Sequence, residues 1–158
     1  MILSGKEVAK YLENIKEAQI QPSGVDLTVE KILTINGKGK LLKENIVLPK
    51  YRELPANNNK WFLKQGIYII TYEQVIRIPN RAAGIVLPRS SLMRMGAIIY
   101  TALWDPGYEG KGASLLQVVN PNGVVIERGA RISQLILFKS EAKEKYSGRY
   151  QGEGINTR

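Results

Sequence analysis

The sequence predicts a mainly β protein, a jelly-roll or β-barrel domain with a short N-terminal helix and a flexible C-terminal arm. Three observations lead there. Between residues 20 and 138, short β-rich runs alternate with turn-formers at the spacing of a sandwich or barrel. Helical periodicity is confined to residues 4–18. Beyond Phe138 the apolar content collapses, and that segment cannot bury enough surface to fold alone. A chain of 158 residues suits one domain. That domain is expected over 1–139, with the arm over 140–158.

Taken in order, Ser4 and Glu7 form the S-x-x-E pattern that satisfies exposed N–H groups at a helix start. Val8, Leu12 and Ile15, with Tyr11 beside them, fall on one helical face. A helix is therefore expected over about 4–18, packed structurally or serving as a lid. Strands are expected at 25–35, 60–63, 66–78, 84–87, 97–104, 114–119, 123–127 and 131–138. Asn36-Gly37, Pro55 to Asn59, Pro79-Asn80, Pro106-Gly107, Asn120 to Gly123 and Arg128-Gly129 separate them. Residues 36–59 have weak periodicity and read as a long excursion or insertion. The tail SEAKEKYSGRYQGEGINTR reads either as a frayed end or as an arm that orders over an anionic ligand.

Composition narrows the chemistry. The chain has no His and no Cys, which excludes a disulfide framework, the usual zinc sites and every mechanism that needs an imidazole or a thiolate. The N-terminus has no apolar signal region, and no apolar run approaches the roughly 18 residues of a membrane span, so a cytoplasmic protein is expected. A formal charge of +9 suits an anionic partner: nucleic acid, a membrane surface or a phosphorylated small molecule. Solubility alone also explains such a charge. Of the 14 acidic residues only two are Asp, at Asp26 and Asp105, in a chain otherwise using Glu.

Four stretches can carry chemistry. In PRSSLMRMG (88–96), Arg89 and Arg94 bracket Ser90 and Ser91, and guanidinium forks with hydroxyls suit phosphate oxygens. A serine helix cap with solvated arginines explains the same residues. In ALWDPGYEG (102–110), Asp105 ends an apolar strand with Tyr108 three residues on. That places a carboxylate and a stacking ring together, although Asp-Pro-Gly alone is ordinary turn chemistry. QPSGVDLTV (21–29) carries Asp26 after a turn, and RGARISQLIL (128–137) carries Gln134 inside an apolar strand.

In this order, QPSGVDL, PRSSLMR, ALWDPGYEG, RGARISQLI and GRYQGEG resemble the five motifs of the dUTPase and dCTP deaminase superfamily. The tail and the opening helix look like its archaeal or deaminase-type branch. The resemblance implies a dUTPase-like jelly-roll that assembles as a homotrimer with shared active sites, closed by the C-terminal arm. It implies a deoxyribonucleoside triphosphate substrate with Mg2+, and neither a membrane nor a specific nucleic acid as partner. By motif, Asp105 would contact the deoxyribose 3′-hydroxyl and orient the attacking water. Arg89, Ser90, Ser91 and Arg94 would hold phosphates and the reacting centre, Gln134 would bind a phosphate oxygen, and Tyr108 would stack on deoxyribose. Tyr146 and Arg149 would reach phosphates, with Tyr150 and Glu153 beside them. Asp26 would serve the triphosphate-bound magnesium through water.

The branch is decided by one position. The deaminases place a catalytic glutamate on the strand after DPG; anchoring on Asn120 puts Gln117 there, and anchoring on Asp105 puts Leu115 there, with Leu116 between them on the nucleotide-side strand. Glutamine is no base near neutral pH. Hydrolysis of dUTP to dUMP and pyrophosphate needs only an oriented water, a carboxylate and phosphate donors, and is the favoured reading. Deamination of dCTP, a bifunctional enzyme and a non-catalytic deoxynucleotide-binding regulator remain as alternatives.

Overall fold

Ser4 accepts a hydrogen bond from the Glu7 amide at 3.3 Å and opens α1, yet that helix runs only over Gly5–Ala9. The computed structural model describes residues 1–155, so the last three residues of the expected arm lie outside the described residues. The helix is shorter than expected because its second half is claimed by tertiary pairing. Leu12 forms a β-bridge with Ile76, and Asn14 takes a φ of 59°, which no helix continues through. A 3₁₀ turn at Glu17–Gln19 follows. Val8 and Leu12 are still buried, so the apolar stripe serves the core without remaining helical.

The strands then run in chain order: β1 (Ile20–Gln21), β2 (Gly24–Asn36), β3 (Lys40–Leu41), β4 (Ile46–Val47), β5 (Lys50–Glu53), β6 (Lys60–Leu63), β7 (Gly66–Tyr72), β8 (Ile76–Arg77) and β9 (Ala82–Pro88). The helix α2 (Ser90–Arg94) leads to β10 (Ala97–Tyr100), β11 (Glu109–Gly110), β12 (Ala113–Val118), β13 (Val124–Glu127) and β14 (Arg131–Lys139). The main sheet has the order β10-β12-β7-β2-β14-β9, with antiparallel neighbours. Trp104 then pairs with Gly84 of β9 through two backbone hydrogen bonds of 2.8 and 2.9 Å. That pairing nearly closes the sheet into a barrel.

Period-two alternation fills the interior. Ser114, Leu116 and Val118 of β12 point inward while Ala113, Leu115 and Gln117 face out. Val25, Leu27, Ile32, Ile70, Leu116, Leu135 and Leu137 are all fully buried. Each such aliphatic side chain contributes about 1.5–3 kcal/mol by leaving water.

Two expected strands and the expected excursion differ from what is observed. The run 66–78 is broken after Tyr72, where Gln74 turns inward. Gln74 accepts the Thr28 amide at 2.9 Å and donates to the Asn14 carbonyl at 3.0 Å, replacing ladder pairing with a buried polar plug. The run 97–104 stops at Tyr100, because Trp104 pairs across to β9 instead. The excursion 36–59 holds the β3–β4 hairpin and β5, which pairs with β2 through Leu33 and Glu53.

Candidate active site

Alternation along β2 puts Val25 and Leu27 in the core and Asp26 on the opposite face. Register sets Gln134 of β14 directly beside Asp26, and Leu87 of β9 beside Gln134. Two residues beyond Leu87 comes Arg89, on the same face, at the N-cap of α2. Its Nε lies 3.1 Å from Asp26 Oδ2. Arg131 reaches the same oxygen at 3.4 Å and donates to the Ala18 carbonyl at 2.6 Å. Gln21 donates to that oxygen as well, at 3.4 Å. Asp26 is consequently only 2% exposed. Burial raises its pKa, while the Arg89 and Arg131 charges hold it down.

Ser90, Ser91 and Arg94 are exposed on α2 at this end. The first N–H groups of that helix have no intrahelical acceptor, so hydroxyls, amides and guanidiniums share one surface suited to an anion. Gln134 packs over Gly24, where an added Cβ would sit 2.3 Å from the Leu135 carbonyl oxygen.

A second assembly lies elsewhere. A cavity of about 360 Å³ is lined by Asp105, Tyr108, Leu115, Tyr146, Tyr150 and Glu153, together with Trp104, Leu33, Ile69 and Thr71. Asp105 is exposed at the turn after Trp104, and its carboxylate has no side-chain partner among the described residues. An aromatic ladder forms one wall. Trp104 and Tyr108 have ring centroids 5.7 Å apart, and Tyr146 meets Tyr108 edge-on at 5.7 Å. Tyr108 is just 6% exposed, so it offers the cavity an edge rather than an open face. Burial pushes its phenol pKa up, with the Glu153 charge adding to the shift.

The arm supplies the roof. Tyr146 donates its amide to the Pro106 carbonyl at 2.7 Å, Gly152 to Glu109 at 2.8 Å, and Lys111 donates to Glu153 at 2.8 Å. Gly110 has no side chain to obstruct this docking: a Cβ there would lie 2.5 Å from the Tyr108 hydroxyl and 3.1 Å from the Glu153 carbonyl oxygen. Glu153 is half-buried, and desolvation raises its pKa. Arg149 stands exposed on the arm.

The structure thus sorts the expected residues into two groups. Asp26, Arg89, Ser90, Ser91, Arg94 and Gln134 share one end; Asp105, Tyr108, Leu115, Tyr146, Tyr150 and Glu153 share the cavity. Asp105 follows the Trp104–Gly84 pair, and Arg89 lies five residues beyond Gly84 along β9. At about 3.3 Å per residue that separates the groups by about 16 Å within one chain. Leu116 belongs to neither, because alternation turns its side chain into the core. Gln117 faces out but lies outside the cavity lining, with its Oε1 accepting from Tyr100 at 3.2 Å. Leu48 and Tyr51 of the excursion also line the cavity, and the sequence gives no periodic signal for either. Arg131 sits in a motif already singled out, yet a bulge between Arg131 and Ser133 hides its shared face from simple alternation.

Residues 2–140 match a family model described as dCTP deaminase-like. A probable deoxyuridine 5′-triphosphate nucleotidohydrolase of Methanosarcina mazei is 40% identical, the alignment covering 98% of this chain and 99% of that protein. The deoxyuridine 5′-triphosphate nucleotidohydrolase of Methanocaldococcus jannaschii is also 40% identical, over 96% of this chain and 99% of its own. In fold, the chain resembles the 2′-deoxycytidine 5′-triphosphate deaminase of Agrobacterium tumefaciens, with a TM-score of 0.65 and 18% identity over 86% of this chain and 48% of that one. The chain therefore spans about half the length of that deaminase. A Staphylococcus bacteriophage 80alpha dUTPase solved with dUpNHpp shares the fold at a TM-score of 0.51 and 14% identity, over 94% of each chain.

Proposed function

The chain belongs to the dCTP deaminase-like family, and from that premise we propose that it hydrolyses dUTP to dUMP and pyrophosphate. The observation that carries this reading is Asp105, a carboxylate with no side-chain partner among the described residues at the mouth of an aromatic cavity, on a strand system with no carboxylate at Leu115 or Gln117. Asp105 orients a water and takes its proton as the oxygen attacks the α-phosphorus. The bond from that phosphorus to the bridging oxygen breaks, and pyrophosphate leaves. Arg89 and Arg94, with the Ser90 and Ser91 hydroxyls and α2 amides, offset the charge that develops on the phosphate oxygens. Gln134 and Arg149 add donors for the outer phosphates. The relatives' names support the substrate.

Asp105 and Arg89 stand about 16 Å apart by strand length within one chain, a spacing that favours a site shared between chains. A homotrimer with shared active sites fits this, a neighbour's Arg89 end facing the Asp105 cavity. The arm, as a segment distinct from a domain over 1–139, closes that cavity through Tyr146, Tyr150 and Glu153. Among the described residues no helix is long and apolar enough to cross a membrane. A cytoplasmic enzyme without a specific nucleic-acid partner fits that. Magnesium is the counter-ion of the triphosphate in this reading; among the described residues no group of three or more His, Cys, Asp or Glu side chains could hold a metal ion.

A second reading, dCTP deamination, is favoured by one observation: Glu153 places a half-buried carboxyl with a raised pKa in the cavity. Product analysis on dUTP and dCTP with magnesium separates the two. Pyrophosphate from dUTP without ammonia from dCTP is expected; ammonia from dCTP, abolished in Glu153→Gln, would establish the deaminase instead.

A further inference from the structure

Resemblance gives Asp26 a magnesium-linked water, and its surroundings do not fit that role. A carboxylate only 2% exposed has no face for a hydrated cation. Arg89 and Arg131 lie 3.1 and 3.4 Å from the oxygen that would receive the water, so a dication placed there meets two positive charges at once. Gln21 occupies a third direction on the same oxygen, at 3.4 Å.

We propose that Asp26 is a positioning residue: it clasps the Arg89 guanidinium by its Nε edge and aims the opposite edge at the substrate's phosphates. The clasp has two points. Arg89 Nε meets Asp26 Oδ2 at 3.1 Å, and Nη1 donates to the Arg131 carbonyl at 3.3 Å. Both contacts lie on the side toward β2 and β14, and the remaining N–H groups are left for an anion beside Ser90 and Ser91. Arg131 closes the other side of the carboxylate and is itself tied to the Ala18 carbonyl at 2.6 Å. A side chain half-exposed and with several rotatable bonds is thereby held in one orientation before substrate arrives. Less freedom is then lost on binding. Asp26 also cancels part of the local positive charge, which by itself would weaken anion binding. Pre-orientation of the fork outweighs that loss, because a misdirected guanidinium forfeits its paired phosphate contact.

This role rests on the dUTP reading, and the experiment separates the two. Binding of dUpNHpp is measured for the wild-type protein and Asp26→Asn, once with magnesium and once in EDTA, alongside binding of deoxyuridine, which has no phosphate. The Arg89 Nε–H proton, assigned by its loss in Arg89→Lys, is followed by NMR exchange without ligand. In Asp26→Asn, dUpNHpp affinity is expected to fall about tenfold or more in both solutions, with deoxyuridine binding and the magnesium concentration for half-maximal turnover unchanged. The Nε–H exchange should quicken in the same variant. A loss confined to magnesium-containing solution would return Asp26 to the metal, and unchanged or tighter binding would overturn the clasp outright. Should Asp26→Asn not fold, the wild-type signal decides: a freely exchanging Arg89 Nε–H overturns the clasp, and a protected one supports it. Absence of dUpNHpp binding to the wild-type protein, with the protected proton present, overturns the substrate reading while leaving the clasp standing.

Discussion

The two aspartates of this chain occupy opposite environments. Asp26 is covered by Gln21, Arg89 and Arg131, all directed at one oxygen, whereas Asp105 is exposed at a turn with no side-chain partner among the described residues. A covered carboxylate with three donors on one oxygen can orient those neighbours and has little room for a water beside it. One without such partners at a cavity mouth keeps that room. Residue type alone therefore assigns no role; the number of donors already spent on the carboxylate does.

The contrast breaks most sharply at Asp105. Asp105→Asn keeps size and polarity and removes the base, so kcat for dUTP should fall about 10²–10⁴-fold while KM changes little. Melting temperature should stay near that of the wild type, since no ion pair or side-chain hydrogen bond is lost. Retention of full kcat would mean that Asp105 is not the water's partner and that the comparison of the two carboxylates is wrong.

Much of this was readable before any coordinates. The runs 114–119 and 131–138 read as strands in the sequence, and β12 and β14 occupy them. The resemblance puts Asp105, Tyr108, Tyr146 and Glu153 in one nucleotide site with Arg89, Ser90, Ser91, Arg94, Gln134 and Arg149; the first four line the cavity and the others do not. What stayed hidden has a physical cause in each case. Arg131 and Gln134 are three residues apart, which alternation would put on opposite faces, and only the bulge between Arg131 and Ser133 brings both beside Thr28 and Asp26. The second half of the N-terminal helix was lost to a long-range bridge from Leu12 to Ile76, which local periodicity cannot register. Tyr51 lines the cavity from a segment without periodicity, because β5 gains its place from pairing with β2 rather than from an apolar face of its own.

That last residue sharpens the comparison from the cavity side. Tyr51 is 43% exposed and lines the cavity, as do Leu48 and Leu33. Truncation to Ala removes part of an apolar wall without touching either aspartate. KM for dUTP should rise about fivefold or less with kcat unchanged, and dUMP binding should weaken by the same factor. A fall in kcat instead would place Tyr51 against the reacting phosphate and move the nucleoside away from this wall.

The smallest effect concerns how the cavity is roofed. Glu153 is half-buried where the arm docks on Gly110 and Lys111, and burial raises its pKa above the ordinary 4.5 of a free glutamate. Its charge acts on the Tyr108 phenol, and Asp105 lines the same cavity. With the arm released, the carboxyl regains its ordinary, lower pKa, so the docked state binds more protons between the two values. Docking is therefore weakest near neutral pH, where Glu153 is charged in a partly desolvated place. It strengthens as pH falls through the raised value and levels off below 4.5. Amide exchange at Gly152 and Glu153, whose N–H groups donate to Glu109 and Tyr150, reads this directly. Corrected for the intrinsic pH dependence of exchange, protection should increase over that window, and Glu153→Gln should abolish the increase. If the variant keeps it, the arm docks independently of the charge at Glu153.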